Sequence, residues 1–304
     1  MGKRALLFPG QGAQFVGMAK DLYDNSVEVR EMIKTADSIL SINLSQIMFY
    51  GPEEELKQTE FTQPAIFLHS IAAASILRRL DFDAAAGHSL GEYSALTICG
   101  AMQFHEAIKL VRARGAAMQM AGTKNPGTMA AVMGINSDKL IDICGEASSS
   151  GVVQCANFNS PGQIVISGSK EGVYKAMELC KASGAKLVKE LVVSGAFHSP
   201  LMQPAEDLLD EALSETNIYD ARKPVYSNVT AEPVTSRDEI KDLLLRQLLS
   251  PVRWEEIINN FVRDGYTEFV EVGPGKVLQG LCKRINPSVT CTGIEKYSDL
   301  EKYL

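Results

Sequence analysis

Cysteine is sparse and unpatterned in this chain. Six cysteines (Cys99, Cys144, Cys155, Cys180, Cys282, Cys291) are scattered over 304 residues, with no CxxC pair and no Cys/His ligand spacing. Neither a zinc site nor a thiol redox motif is supported, and the expectation is of small buried apolar side chains in a reducing compartment. Positive charge is also in deficit. Thirty Lys and Arg stand against 37 Asp and Glu, a net charge of −7, with no block of like charges. Nucleic-acid binding relies on clustered basic residues and is disfavoured, and no charged interaction tail is indicated. No apolar run approaches the roughly 18 residues that span a bilayer, so no membrane partner is expected. Only three residues precede the strand-like run Arg4–Phe8, and no signal or transit peptide is expected there. A cytoplasmic protein is the default. Internal repeats and low-complexity stretches are absent as well.

What is present is a chain with 45% hydrophobic residues, enough for a full-size core in one large domain or in a large and a small one. Strand-like and helical segments alternate, which argues an α/β fold. Strands are predicted over Arg4–Phe8, Asp83–Gly87 and Glu268–Val272. Helices are predicted over Thr62–Leu80, Leu90–Cys99, Phe104–Ala121 and Val277–Arg284. The middle differs in texture. After the break at Asn125-Pro126-Gly127 come a strand (Met129–Met133), a helix (Ser137–Ser148), two strands (Val152–Ala156, Gln163–Ser167), a helix (Glu171–Ser183) and a strand (Lys186–Leu191). That βαββαβ order belongs to ferredoxin-like modules. Residues 126–194 are therefore expected as a small domain inserted between 1–125 and 195–304.

Gly87-His88-Ser89-Leu90-Gly91 matches G-x-S-x-G between an apolar strand run and a helical run. A nucleophile elbow asks for this placement: a strand turns sharply into a helix, the serine projects from the bend, and the flanking glycines remove Cβ clashes. The pattern should arise by chance roughly 0.1 times in a chain this long. The helix start behind the turn offers free N–H groups to an oxyanion, and the N–H of Leu90 is the expected donor.

A serine nucleophile needs a base, and the chain has four histidines. His69 lies mid-helix and reads as packed or at the surface. His105 opens a helix and reads as solvated. His88 is the neighbour of Ser89 on a sharp turn and reads as support for the elbow. His198, in the loop Gly195–Pro200, is the candidate base. No Asp or Glu stands out as a third member, and a dyad oriented by a main-chain carbonyl is an open alternative.

Arg114 carries apolar neighbours three and four positions away (Leu110, Val111, Ala117, Met118), whereas Arg112 shares its face with Lys109, Ile108 and Gly115. A guanidinium on an apolar stripe must be partnered. It is either a structural pair with a snorkelling stem or a pocket arginine that takes a carboxylate through its planar fork. The loop Phe8–Gln14 fails both the dinucleotide and the P-loop patterns and suits a turn with accessible N–H groups. Gly273–Lys276 likewise reads as a turn before a helix.

With these residues in view the chain resembles the malonyl-CoA–acyl carrier protein transacylases of dissociated bacterial fatty-acid synthesis, and the similar acyltransferase domains of polyketide synthases. The resemblance spans the whole chain. It rests on Phe8–Gly12, Gly87–Tyr93, Arg114–Gln119, Asn159–Gly168, Gly195–His198, Gln247–Val252 and Glu271–Val277. It implies a hydrolase-like large domain with a central parallel sheet, plus the ferredoxin-like insert. Position by position it implies Ser89 as the acylated nucleophile. It makes His198 the base, held by a main-chain carbonyl near Gln247 or Ser250. The N–H groups of Gln11 and Leu90 become the oxyanion donors. Arg114 becomes the carboxylate clamp with Gln247 beside it, and Asn159 joins the substrate-binding set. Phe197 before His198 matches the malonyl-selective form of its motif. The implied substrate is malonyl-CoA and the implied partner an acyl carrier protein, with no metal or cofactor and a monomer as the expected state. Lys181, Lys186 and Lys189, or Lys283 and Arg284, are candidate docking residues for an acidic carrier. An esterase or thioesterase, or a non-catalytic carrier-binding module, remains an alternative at this point.

Overall fold

A computed structural model describes residues 2–77 and 80–302; of residues 301 and 302 it describes the backbone alone. Among the described residues ten strands run in chain order: β1 (Lys3–Phe8), β2 (Ala84–Gly87), β3 (Thr128–Met133), β4 (Val153–Ser160), β5 (Gln163–Gly168), β6 (Leu187–Glu190), β7 (Val225–Tyr226), β8 (Pro233–Val234), β9 (Tyr266–Val272) and β10 (Thr290–Ile294). They form two sheets.

The first sheet has the order β10-β9-β1-β2-β7-β8. Every pairing in it is parallel except β7 with β8. Parallel strands need helical crossovers, which cover both faces and bury the strands completely. Leu7 and Phe8 of β1 are inaccessible, with core clusters on either side of the sheet. β2 is built of Ala84, Ala85, Ala86 and Gly87. Its small side chains let the helix Gly91–Ile98 pack close to the sheet.

The second sheet has the order β4-β5-β3-β6, and its pairings are antiparallel. The helices Ser137–Ala147 and Lys170–Ala182 complete it and share its core through Leu140, Ile143, Val173 and Ala176. This is the expected βαββαβ order, with every boundary within one residue except that β4 runs on to Ser160, four residues past the expected Ala156. The sheet is tied to the rest of the chain through β4. Val252 N–H donates to Ala156 O (2.8 Å) and Phe158 N–H to Val252 O (2.9 Å).

The helix Thr59–Ile76 is buried over most of its circumference and carries Pro64 in its interior. Proline cannot donate to the carbonyl four residues back. That carbonyl, of Glu60, instead accepts from Arg112 Nη1 (2.5 Å). Arg112 also pairs with the Glu60 carboxylate at 2.7 Å and lies over the Phe61 ring. Arg112 is thereby committed to structure, in line with its polar face. The expected helix Thr62–Leu80 ends at Ile76; positions 78 and 79 lie outside the described residues. Five of the six cysteines are buried as expected, but Cys291, on β10 beside the sheet edge, is partly exposed. No described helix is long and apolar enough to cross a membrane.

Candidate active site

The C-terminal ends of β1 and β2 meet at one place, and the elbow forms there. β2 ends at Gly87, and the helix begins at Gly91. Ser89 has φ 51°, the left-handed region that costs a non-glycine residue of order 1–3 kcal/mol. The strain is held by Asn228. Its Oδ1 accepts from Ser89 N–H (2.7 Å), and its Nδ2 donates to Gly87 O (2.7 Å). The glycines have no room for a side chain. A Cβ on Gly87 would come within 1.8 Å of Gly91 backbone, and one on Gly91 within 2.1 Å of Phe8 O.

His198 also has a positive φ, 55°. Its ring points at the elbow, with Nε2 2.8 Å from Ser89 Oγ. Nδ1 lies 2.9 Å from Gln247 O and 3.1 Å from Ser250 O. Carbonyls only accept, so Nδ1 carries the proton and Nε2 presents its lone pair to the serine hydroxyl. The orienting groups are main-chain carbonyls, which explains why no acid stood out in the sequence. Gln154 Nε2 on β4 bonds His198 O (2.8 Å) and Leu249 O (3.2 Å), pinning the histidine loop against the Gln247–Ser250 segment. Burial, and secondarily the Arg114 charge, lowers the His198 pKa to about 3. The imidazole is thus a neutral acceptor at physiological pH.

Arg114 lies beneath the serine, 1% exposed. Its Nη1 donates to Gln63 Oε1 (2.7 Å), and its Nη2 to Gln247 Oε1 (2.9 Å) and Ser89 Oγ (3.2 Å). The guanidinium carbon is 5.2 Å from the Tyr93 ring centre. Among the described residues no carboxylate lies within ion-pair distance, and Arg114 Nε has no hydrogen-bond partner. A buried cation held by neutral dipoles keeps its attraction for an anion. The structural-pair alternative for Arg114 is therefore not realised.

A cavity of about 360 Å³ opens at Ser89, with Arg114 bonded to the serine from behind its lining. Ser89, His198, Gln11, Leu90, Phe197 and Asn159 line it, along with Gln63 and the apolar side chains of Met118, Met129, Val165 and Leu191. Gln11 follows β1 and Leu90 precedes the elbow helix. Neither of their N–H groups has a partner among the described backbone bonds. Asn159 accepts from His88 Nε2 (2.8 Å) through Oδ1, and the His88 ring packs at 5.6 Å on Trp254. His88 thus props the elbow, and burial lowers its pKa. Gln247 is wholly buried and reaches Arg114 rather than the cavity wall. His69 is buried and bonded to Glu295 O, while His105 is exposed.

Three polar residues at the site were not singled out from sequence: Gln63, Asn228 and Glu92. Glu92 is 2% exposed and accepts from Gln247 Nε2 (2.7 Å) and Asn228 N–H (3.1 Å). Burial raises its pKa to about 7, against the opposing pull of those donors, Ser227 and Arg114. A polar residue just past the end of a parallel strand, as Asn228 is after β7, is the signal that could have marked one of them.

The matching family model, described as an acyl transferase domain, covers residues 5–292. The chain belongs to the acyl transferase family. Within it, the chain is 47% identical over 289 residues to a Bacillus subtilis protein named malonyl CoA-acyl carrier protein transacylase, covering 94% of this chain and 91% of the relative. An acyl carrier protein S-malonyltransferase from Vibrio cholerae superposes with a TM-score of 0.96 at 40% identity, covering 99% and 100% of the two chains. A malonyl-transacylase solved in complex with its type II polyketide acyl-carrier protein superposes with a TM-score of 0.96 at 38% identity, covering 99% of each chain.

Two outcomes follow for this acyl transferase. Gly91→Ala should lose about 2–3 kcal/mol of stability in urea unfolding, because the new methyl meets the Phe8 carbonyl in a packed core; an unchanged midpoint would show that the elbow can relax. The His198 ring, followed by NMR, should stay neutral between roughly pH 8 and pH 5. A group whose folded pKa is depressed below its unfolded value contributes stability that is present above the unfolded pKa. That contribution is lost as pH falls from about 6.5 toward 3. Protonation of His198 centred near 6.5 would contradict the buried geometry.

Proposed function

We propose that the chain is a malonyl-CoA–acyl carrier protein transacylase, working through a malonyl ester on Ser89. The observation that carries the reading is a buried, carboxylate-free guanidinium 3.2 Å from the hydroxyl of a serine–histidine pair. The pair alone would serve any acyl transfer. The guanidinium selects an acyl group with a free carboxylate at its far end, and malonyl is the short example.

His198 Nε2 takes the Ser89 proton as Oγ attacks the thioester carbonyl. The N–H groups of Gln11 and Leu90 receive the oxyanion. The C–S bond breaks, and the imidazolium returns its proton to the coenzyme A sulfur. The carrier's phosphopantetheine thiol then gives a proton to His198 and attacks the ester, and Ser89 leaves with that proton. The sequence is ping-pong and calls on no metal or redox cofactor. The apolar walls formed by Met118, Met129, Val165 and Phe197 give water few partners near the ester, which favours transfer over hydrolysis. Phe197 and Asn159 border the acyl chain in this reading. Residues 126–194 act as a domain inserted into the catalytic part, 1–125 and 195–304. The protein works in the cytoplasm as a monomer, supplying fatty-acid synthesis.

For the carrier, the reading favours Lys189 on β6 and Lys283–Arg284 near the cavity, since Arg284 is bonded to the cavity-lining Gln163. Lys189→Glu and Arg284→Glu should raise KM for the carrier while leaving KM for malonyl-CoA in place; equal effects on both would remove these residues from docking.

Intact mass after mixing with malonyl-CoA should show a malonyl adduct on the wild type and none on Ser89→Ala. The adduct should move to added pantetheinylated carrier. Decay to free malonate regardless of carrier would mean a hydrolase, and no adduct with any acyl-CoA would mean a non-catalytic module. Arg114→Ala should cost malonyl transfer on the order of 2–5 kcal/mol of transition-state stabilisation. Unchanged preference for malonyl-CoA over acetyl-CoA would sink the carboxylate clamp.

A further inference from the structure

One side chain lies outside the cavity lining yet is bonded to Arg114, to the main chain of Ser89 and to Glu92. The Gln247 carboxamide makes three contacts at the site. Oε1 accepts from Arg114 Nη2 (2.9 Å), and Nε2 donates to Ser89 O (3.1 Å) and to Glu92 Oε2 (2.7 Å). Its main-chain carbonyl accepts from His198 Nδ1 (2.9 Å). A carboxamide has two orientations, related by a half turn, that differ little in shape. The flipped one would set an NH₂ group against the Arg114 guanidinium and a carbonyl oxygen against Ser89 O and Glu92.

Arg114, which only donates, and Ser89 O, which only accepts, already favour the observed orientation, and Glu92 reinforces it. Its Oε2 receives two donors, Gln247 Nε2 and Asn228 N–H. An oxygen that receives two N–H groups acts as an acceptor even if the other carboxyl oxygen carries a proton, so the preference holds in either protonation state. Through Asn228 the same oxygen is coupled to the elbow, because the Asn228 side chain holds Ser89 N–H and Gly87 O. Glu92 is 2% exposed, and its Oε2 is taken up by Gln247 and Asn228.

We propose that Glu92 is a positioning residue. By anchoring Gln247 Nε2, in the orientation that Arg114 and Ser89 O also favour, it holds the Arg114 guanidinium within reach of Ser89, and so tunes acyl selectivity without touching the acyl group. The inference rests on the carboxylate clamp of the proposed function. It adds that the clamp's aim is tuned by a buried acid two hydrogen bonds away.

The test is single-turnover acylation by malonyl-CoA and by acetyl-CoA in the wild type, Glu92→Ala, Glu92→Gln and Arg114→Ala. A role confined to holding the core together would slow both substrates in proportion. Positioning of the clamp skews them. Glu92→Ala should lower kcat/KM for malonyl-CoA by about 10- to 100-fold, the loss that one charge-assisted hydrogen bond carries, with acetyl-CoA within about threefold. Glu92→Gln, whose carbonyl oxygen can accept both donors, should restore selectivity to within about threefold of wild type. Equal losses on both substrates, or a Glu92→Gln variant as unselective as alanine, would overturn the proposal. Should Glu92→Ala fold poorly, Glu92→Asp, one methylene short of Gln247, should show the same skew, and a proportional loss there would overturn it too. If Arg114→Ala itself keeps the malonyl preference, the clamp reading is what fails, and the Glu92 proposal falls with it.

Discussion

A positive charge buried without a directly bonded counter-ion organises this site. Arg114 is fully enclosed, and the groups bonded to it are a hydroxyl and two carboxamide oxygens. Neutral dipoles satisfy hydrogen bonds but leave most of the ion's field uncompensated in a medium of low dielectric. Such a site is costly to fold, and burial pulls the guanidinium pKa down. The structure bears that cost with a dense set of polar partners: Gln63 on one helix, Gln247 on another, the Tyr93 ring and, one bond further, Glu92. An incoming carboxylate would supply a bonded negative charge next to Ser89.

The fold brings these pieces together at the carboxyl ends of parallel strands. β1 delivers Gln11, β2 delivers the elbow and β7 delivers Asn228. At the site Ser89 and His198 both sit in the left-handed region, and both are held by hydrogen bonds from distant segments. The strand β4 of the second sheet supplies Gln154 to the histidine loop and Asn159 to His88. The second sheet is therefore part of how His198 is held, as well as a wall of the cavity.

Much of this was legible in the sequence, and the reasons are physical. The elbow is a local pattern, since its glycines and serine must lie within five residues. With four histidines, the base could be chosen by asking which one lies in a loop. Arg114 was visible because a cation on an apolar helical face breaks the expected periodicity, whereas Arg112 did not and proved structural. The βαββαβ order was readable because each of its elements alternates in the ordinary way. Gln63 and Glu92 were not readable, and Asn228 offered only its place just past a short strand. Each is a common polar residue on a separate element, and its meaning lies in a three-dimensional bond that no spacing encodes. Glu92 lies within the recognisable stretch Gly87–Tyr93, yet nothing local says that its partner is Gln247, 155 positions away. The carbonyls that orient His198 belong to the main chain, where residue type carries no signal.

The measurement that tests the central claim most directly is a crystal structure of the protein with the malonyl group trapped on Ser89. The account predicts the free carboxylate bonded to the Arg114 guanidinium and the ester carbonyl oxygen between the N–H groups of Gln11 and Leu90. A carboxylate turned away from Arg114 toward solvent, with the Gln63 and Gln247 contacts unchanged, would contradict it.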